Sequence, residues 1–340
     1  MNIDKSPGHP YKRREILQLS AGALAAATSG FPATMAQNAE PMNLAKIILA
    51  SPPGTLMDLF ARRIADAIQP GYARNIIVDN RVGGAGLIGI SAVKSAPPDG
   101  TTILAVPSPL MYLYPFTYRK LPYDPVVDFT PVALGAVFDV AFAVGPMVPD
   151  SVKTMPEFFG WCKANPRLAN FGSPAAASTL HFVGSMAARA AGAELTHVPY
   201  RGTTPAILDM IGGQVAAVCA PVGDFMPFLE GGKCRILGTT GEKRSRFVPG
   251  APTFVEQGYR DIVINDWYGF FVPAKTPAVH VQRLNAAIKA ALGTPAVIKT
   301  LQDRGLEPRW STSAELAARL KSDMEKWQPI AKSFNFTPES

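Results

Sequence analysis

Charge is scarce in this chain of 340 residues. Asp, Glu, Lys and Arg make up 17% of it, against about 25% in an average globular protein. The net charge is +7, but the lysines and arginines are scattered and no run of five or more occurs. That excludes a basic nucleic-acid patch. No interior run reaches 18 apolar residues, which excludes a polytopic membrane protein. Four histidines and three cysteines form no Cys-x-x-Cys or His/Cys cluster, so neither a metal nor any other cofactor is expected. No Gly-x-Ser-x-Gly elbow is present either. Proline (32) and glycine (29) are instead plentiful, and 47% of residues are hydrophobic. The chain is therefore rich in turns and able to bury a large core, with length for two domains.

The first residues read as an export signal. Lys12, Arg13 and Arg14 precede an apolar stretch from Ile16 to about Ala27, and Thr34-Met35-Ala36 offers small residues for cleavage after Ala36. Arg13-Arg14 followed by Ile16 and Leu17 is similar to a twin-arginine signal. Segment 1–36 carries Lys5, Lys12, Arg13 and Arg14 against Asp4 and Glu15. Its removal lowers the net charge to +5. Three cysteines, Cys162, Cys219 and Cys234, allow at most one bridge. Buried free thiols are the simpler reading, with Cys219–Cys234 the alternative pair.

From residue 44 onward, strand-like and helix-like segments alternate. Ala45–Ala50, Ile76–Val78 and Thr102–Val106 are short apolar runs. An amphipathic stretch with Leu59, Phe60, Ile64 and Ile68 on one face lies between the first two. Val140–Val144, Val215–Cys219 and Arg235–Thr239 repeat the pattern further on. Thr154 with Glu157, and Thr312 with Glu315, have capping-box spacing. The C-terminal quarter reads as mostly helical, with its last helix ending near Trp327. The pattern is that of an α/β protein with two lobes.

Four glycine- and proline-rich turns precede helices. Each offers unpaired amides and a positive helix end, which suit an anion. They are Ser51-Pro52-Pro53-Gly54-Thr55-Leu56-Met57-Asp58; Arg81-Val82-Gly83-Gly84-Ala85-Gly86; Gly172-Ser173-Pro174-Ala175-Ala176-Ala177-Ser178, followed by His181; and Tyr200-Arg201-Gly202-Thr203-Thr204. Gly84-x-Gly86-x-x-Gly89 also matches a dinucleotide fingerprint. No acid follows at 105–115, where one would hold the ribose, and close helix–sheet packing accounts for these glycines. Ser178 and His181 lie one helical turn apart, a spacing that suits a helix-start hydrogen bond more simply than a nucleophile and its base.

Several motifs in fixed order add to this. They are P-P-G-x-x-x-D-x-x-A-R at Pro52–Arg62, D-N-R-x-G-x-x-G-x-I-G at Asp79–Gly89 and P-P-D-G at Pro97–Gly100. L-P-Y-D-P-x-x-D-F at Leu121–Phe129, G-S-P-x-x-x-S-x-x-H at Gly172–His181 and V-P-Y-R-G-x-x-P-A at Val198–Ala206 follow. G-G-Q-V at Gly212–Val215 and W-Y-G-F-F-V-P-A-x-T-P at Trp267–Pro277 complete the set. Over about residues 43–330 the chain resembles the substrate-binding proteins of tripartite tricarboxylate transporters, the Bug family. The resemblance implies a type II, Venus-flytrap periplasmic binding protein with a ligand cleft between two lobes. Lobe 1 would combine 43–142 with 256–340, and lobe 2 would be 143–255. It implies a monomer that catalyses nothing, holds a small carboxylate and delivers it to membrane permease subunits.

Carried onto this chain, the family's binding residues fall on Ser51, Pro53, Gly54, Thr55, Met57 and Asp58 in the first turn. In the other lobe they fall on Ser173, Ala175, Ala177, Ser178 and His181, and on Tyr200, Arg201, Gly202 and Thr203. Met57 stands where the family often has a hydroxyl, and Ala175 and Ala177 stand where it has glycines. Ala220 replaces a common Asp, for which Asp224 is a nearby substitute. These departures favour an aromatic or otherwise apolar monocarboxylate over aspartate or citrate. The rival readings are a nucleotide-dependent oxidoreductase using Gly84–Gly89, a hydrolase using Ser178 and His181, and a ligand-sensing subunit of a signalling system.

Overall fold

Each predicted β-α-β start is present, but a strand that the pattern only half reveals organises the molecule. The computed structural model describes residues 1–2 and 40–334. The signal expected over 1–36, with its cleavage at Ala36, therefore lies outside the described residues beyond Asn2. Strand β1 (Met42–Leu49), helix α1 (Leu56–Tyr72), β2 (Ala73–Asn80), α2 (Leu87–Lys94) and β3 (Thr102–Pro107) come first. β1 pairs in parallel with both β2 and β3. Short helices α3 (Pro109–Tyr112) and α4 (Tyr114–Thr117) lead to strand β4 (Phe129–Val144). Next come α5 (Met155–Ala164), β5 (Asn170–Ser173), α6 (Thr179–Ala190), β6 (Thr196–Pro199) and α7 (Thr203–Ile211). β7 (Ala217–Pro221), α8 (Val222–Leu229) and β8 (Arg235–Thr239) follow. The chain returns through β9 (Asn265–Pro273), α9 (Ala278–Leu292), α10 (Pro295–Gln302), β10 (Glu307–Pro308) and α11 (Ser313–Ser333).

Both predicted capping boxes form, with Thr154 and Thr312 each exchanging bonds with the Glu three residues on. Helix α1 buries Phe60, Ile64 and Ile68, whereas Leu59 is 39% exposed. One residue earlier is a rotation of about 100°, which places Leu59 at the edge of the apolar stripe.

The described strands form one path, β2-β1-β3-β9-β4-β7-β5-β6, with β8 and β10 attached to β4. β4 belongs to both halves. Phe129–Asp139 pairs antiparallel with β9, and Val140–Val144 pairs antiparallel with β7 on one side and β8 on the other. The expectation had covered only Val140–Val144. The C-terminal quarter, expected to be mostly helical, contributes β9, a central strand. Both strands are buried along nearly their whole length, so neither shows the alternation that marks a half-exposed strand. β7 lies two residues later than the Val215–Cys219 run.

The chain crosses back at Thr240. Its amide donates to Val140 O (2.9 Å) and its carbonyl accepts from Ile264 N (3.0 Å). Its hydroxyl accepts from Val140 N (3.0 Å) and donates to Ile264 O (2.6 Å). One fully buried side chain thus clips the outgoing strand to the returning segment.

Helix α11 runs six residues beyond the expected end at Trp327. Its last turns have a buried surface to cover. Trp327 stacks on Tyr112 and meets Phe182 edge-on, and Phe334 also packs on Phe182. The three cysteines are buried and unpaired. β4 lies between β7, which carries Cys219, and β8, which Cys234 precedes, so the alternative bridge is not made.

Thr240→Val keeps the shape but leaves Val140 N–H and Ile264 C=O without partners. It should lower unfolding stability by about 2–4 kcal/mol, whereas Thr240→Ser should cost far less. Urea denaturation of the three proteins checks this; equal loss for Val and Ser would remove the hydroxyl clip.

Candidate functional site

Strand direction decides where the turns meet. β3 ends at Pro107, opposite Tyr268 of β9, and Tyr268 lies opposite Ala136 of β4. β7 ends at Pro221, opposite Val140 of β4. The carboxyl ends of the two parallel strand sets therefore point at the same short stretch of β4. Ligands of open α/β sheets bind at such carboxyl ends. The turns after β1, β3, β5, β6 and β7 face one another there. A Cβ built on Gly202 would lie 3.8 Å from Pro52, and one on Gly223 would lie 3.2 Å from Leu56. Tyr112 Oη and Thr179 Oγ1 are 2.7 Å apart.

The first turn is held from within. Thr55 caps α1, accepting from Asp58 N (3.4 Å) and donating to Pro52 O (2.9 Å). Gly54 has φ +77°, the left-handed region that glycine occupies freely. Its amide donates to Asp58 Oδ2 (2.9 Å), so that amide is already used. Asp58 is 3% exposed. It also takes Asn80 Nδ2 (2.9 Å) and pairs with Arg62 (3.0 Å), while Asn80 Nδ2 donates to Ser51 O (3.0 Å). Burial raises the Asp58 pKa, but the bonds from Arg62, Gly54 and Asn80 outweigh it and hold the carboxyl below its usual range. Met57 is buried in the core, while Pro53 and Gly54 are exposed. The amides of Leu56 and Met57, in the first turn of α1, have no intrahelical acceptor.

The third turn is similarly built. Ser178 caps α6, accepting from His181 N (3.2 Å) and donating to Ala175 O (2.8 Å). Ser173 donates to Ala175 O (3.1 Å), and its hydroxyl meets His197 Nε2 at 2.7 Å. With the Ser173 proton directed at Ala175, His197 Nε2 carries the hydrogen of that bond. Ala177 N donates to His181 Nδ1 (3.2 Å), which assigns the His181 proton to Nε2. The two imidazoles stack at 3.8 Å. Burial depresses both, His181 to about 4 and His197, with the added effect of His181, to about 3. Ala177 adopts φ +57°, so the left-handed turn persists where the expected glycine is missing.

In the fourth turn Gly202 and Thr203 open α7. Arg201 is exposed and Thr203 is buried. Tyr200 instead turns its hydroxyl to Asp209 (2.9 Å). Asp224, half-buried in the first turn of α8, is pushed up to about 6 by desolvation, against which a bond to Thr203 works.

Sequence reasoning missed a further group. Asp266 Oδ1 accepts from Ser108 Oγ and from Tyr112 Oη (3.0 Å). Ser108 Oγ accepts from Trp267 N (3.1 Å), and Tyr112 meets Thr179 across the two halves. All four side chains are nearly inaccessible. The available signals were the Pro107-Ser108-Pro109 turn at a strand end and an acid directly before an aromatic strand.

The second turn does not join this group as a phosphate cradle. A Cβ on Gly89 would lie 3.1 Å from Ala50 Cα and 3.2 Å from Leu49 O. The glycines bring α2 close to β1, as the packing alternative held.

A model of the tripartite tricarboxylate transporter family receptor matches residues 60–336. The chain belongs to this family. A UPF0065 protein from the tcbD–tcbE intergenic region of Pseudomonas sp. strain P51 is 31% identical over 94% of this chain and 93% of its own. Among solved structures, Rpa4515 of R. palustris with adipate is 27% identical with TM-score 0.83, covering 88% of this chain and all of that one. The periplasmic binding protein BugD is 26% identical with TM-score 0.80, at 88% and 100% coverage. The family is one of periplasmic solute-binding receptors, and the chain is a receptor and not an enzyme. Ser178 and His181 accordingly form a helix cap, and the Gly84–Gly89 turn serves packing.

Burial holds the Asp266 carboxyl up to about 6, with the bonds from Ser108 and Tyr112 working against that rise. In the unfolded receptor the same group would titrate near ~3.9. Between those values the folded state binds the extra proton, so this contribution is complete below the lower value and is lost as pH rises through about 6. Asp266→Asn, which keeps an acceptor for both hydroxyls, should flatten the fall of Tm between about pH 4 and 6. Asp224, raised in the same sense, would supply the remaining slope. An unchanged Tm–pH curve would reject this assignment.

Proposed function

We propose that the receptor captures a small carboxylate between two lobes, 43–142 with 256–340 and 143–255, that hinge where β4 and Thr240 cross. The observation that carries this reading is the opposition of the α1, α6 and α7 N-termini across the end of both strand sets. Their unpaired amides and dipoles supply positive potential with little help from cationic side chains. Ser51 to Thr55 would line one side. Ser173 to His181 and Arg201 to Thr203 would line the other, with Asp58, Tyr200 and the two histidines holding the turns in shape.

An apolar or aromatic monocarboxylate fits this surface best. Asp224 faces the same region, and a second anionic group on the ligand would meet its carboxyl. The adipate bound by the R. palustris relative supports a carboxylate as the recognised group. The export signal over 1–36 would deliver the chain to the periplasm, as a monomer serving transporter permease subunits.

A thermal-shift series with benzoate, adipate and NAD tests the reading. A carboxylate at 100 times its Kd should stabilise by about 2.7 kcal/mol. A shift with NAD alone would overturn it. Gly54→Ala should weaken carboxylate binding roughly tenfold. A Cβ there meets no atom within 4 Å, but the left-handed backbone disfavours any side chain by about 1–2 kcal/mol; the free variant relaxes out of the turn and must recover that energy on binding. Titration calorimetry reads the change, and unaltered affinity would remove the first turn from the site.

A further inference from the structure

A second charged recess lies behind the first turn, outside the region where the strand ends meet. It is a cavity of about 240 Å³ between α1 and α10. Its floor is apolar, with Leu56, Phe60 and Leu301 among its lining residues. Three arginines, Arg62, Arg63 and Arg304, line it against one acidic residue, Asp66. Arg62 is occupied by Asp58 and Asn80. Arg63 and Arg304 form no ion pair among the described residues, and Arg63 Nε is buried without any hydrogen-bond partner. A buried donor left unpaired is costly, and a native structure rarely carries one without a reason.

The recess is also placed to matter. The Arg304 carbonyl lies where a Cβ on Gly223 would be, 1.9 Å away, and Leu56 Cδ2 lies 3.2 Å from the same point. The turn that carries Arg304 is thus the seat of α8 from the other half. Leu56, on the cavity floor, is the first residue of α1 after the ligand turn.

We propose that this recess is a second binding site, for a small organic anion with a short apolar body. Arg63 and Arg304 hold the oxyanion, and the leucine and phenylalanine floor takes the body. Guanidinium groups suit carboxylate and phosphate alike. The apolar floor selects the organic anion over a bare inorganic one.

The test counts sites on the full-length receptor by equilibrium dialysis with hexanoate, with inorganic phosphate as the second arm. Wild type should bind one more hexanoate per chain than Arg63→Gln/Arg304→Gln. Leu59→Glu, which sets a carboxylate at the exposed rim while keeping both arginines, should lose the same site. Because the readout is a difference, it is independent of the cleft. If only the cleft reading fails, the counts become one and zero. If only this proposal fails, both proteins bind one. Equal counts in wild type and both variants would overturn the site, and phosphate binding as tight as hexanoate would overturn the organic anion.

Discussion

The fold depends on one strand being shared. β4 is antiparallel to β9 through Asp139 and antiparallel to β7 and β8 from Val140. Because it runs unbroken through both halves, the strand sets on either side must end toward the same few residues. The turns after β1, β3, β5, β6 and β7 then open there. A gathering of helix N-termini is the geometric consequence, and no individual turn has to be unusual for it to form.

On the proposed reading, that arrangement would let a chain with so few charges hold an anion. The carboxylates near the turns are turned inward. Asp58 ties Gly54, Asn80 and Arg62 together, and Asp266 ties Ser108 to Tyr112 and, through Tyr112, to Thr179. They stiffen the turns that start these helices. The histidines act alike: His181 accepts from the Ala177 amide and His197 from beneath braces Ser173. On the proposed reading, electrostatic recognition falls to backbone dipoles and side-chain charge serves positioning. The unpaired Arg63 and Arg304 behind α1 stand out because they depart from this division.

The crossing region is tied from both sides. Thr240 joins both chain crossings through one side chain, while α11 packs against Tyr112 and Phe182 from the two halves.

What could be read without coordinates was local. Helix caps at Thr55, Thr154, Ser178 and Thr312, the β-α-β alternation and the ordered motifs all follow from short-range chemistry, which repeats wherever the same residues occur. The central strands β4 and β9 were hidden because burial on both faces removes any periodic pattern. Tertiary structure alone decided which turns face one another, that the Gly54 amide is already bonded, and that Asp266 meets Ser108 from a position 158 residues away in sequence. Those are long-range pairings set by strand direction and register, and no sequence window short enough to show a motif is long enough to contain them.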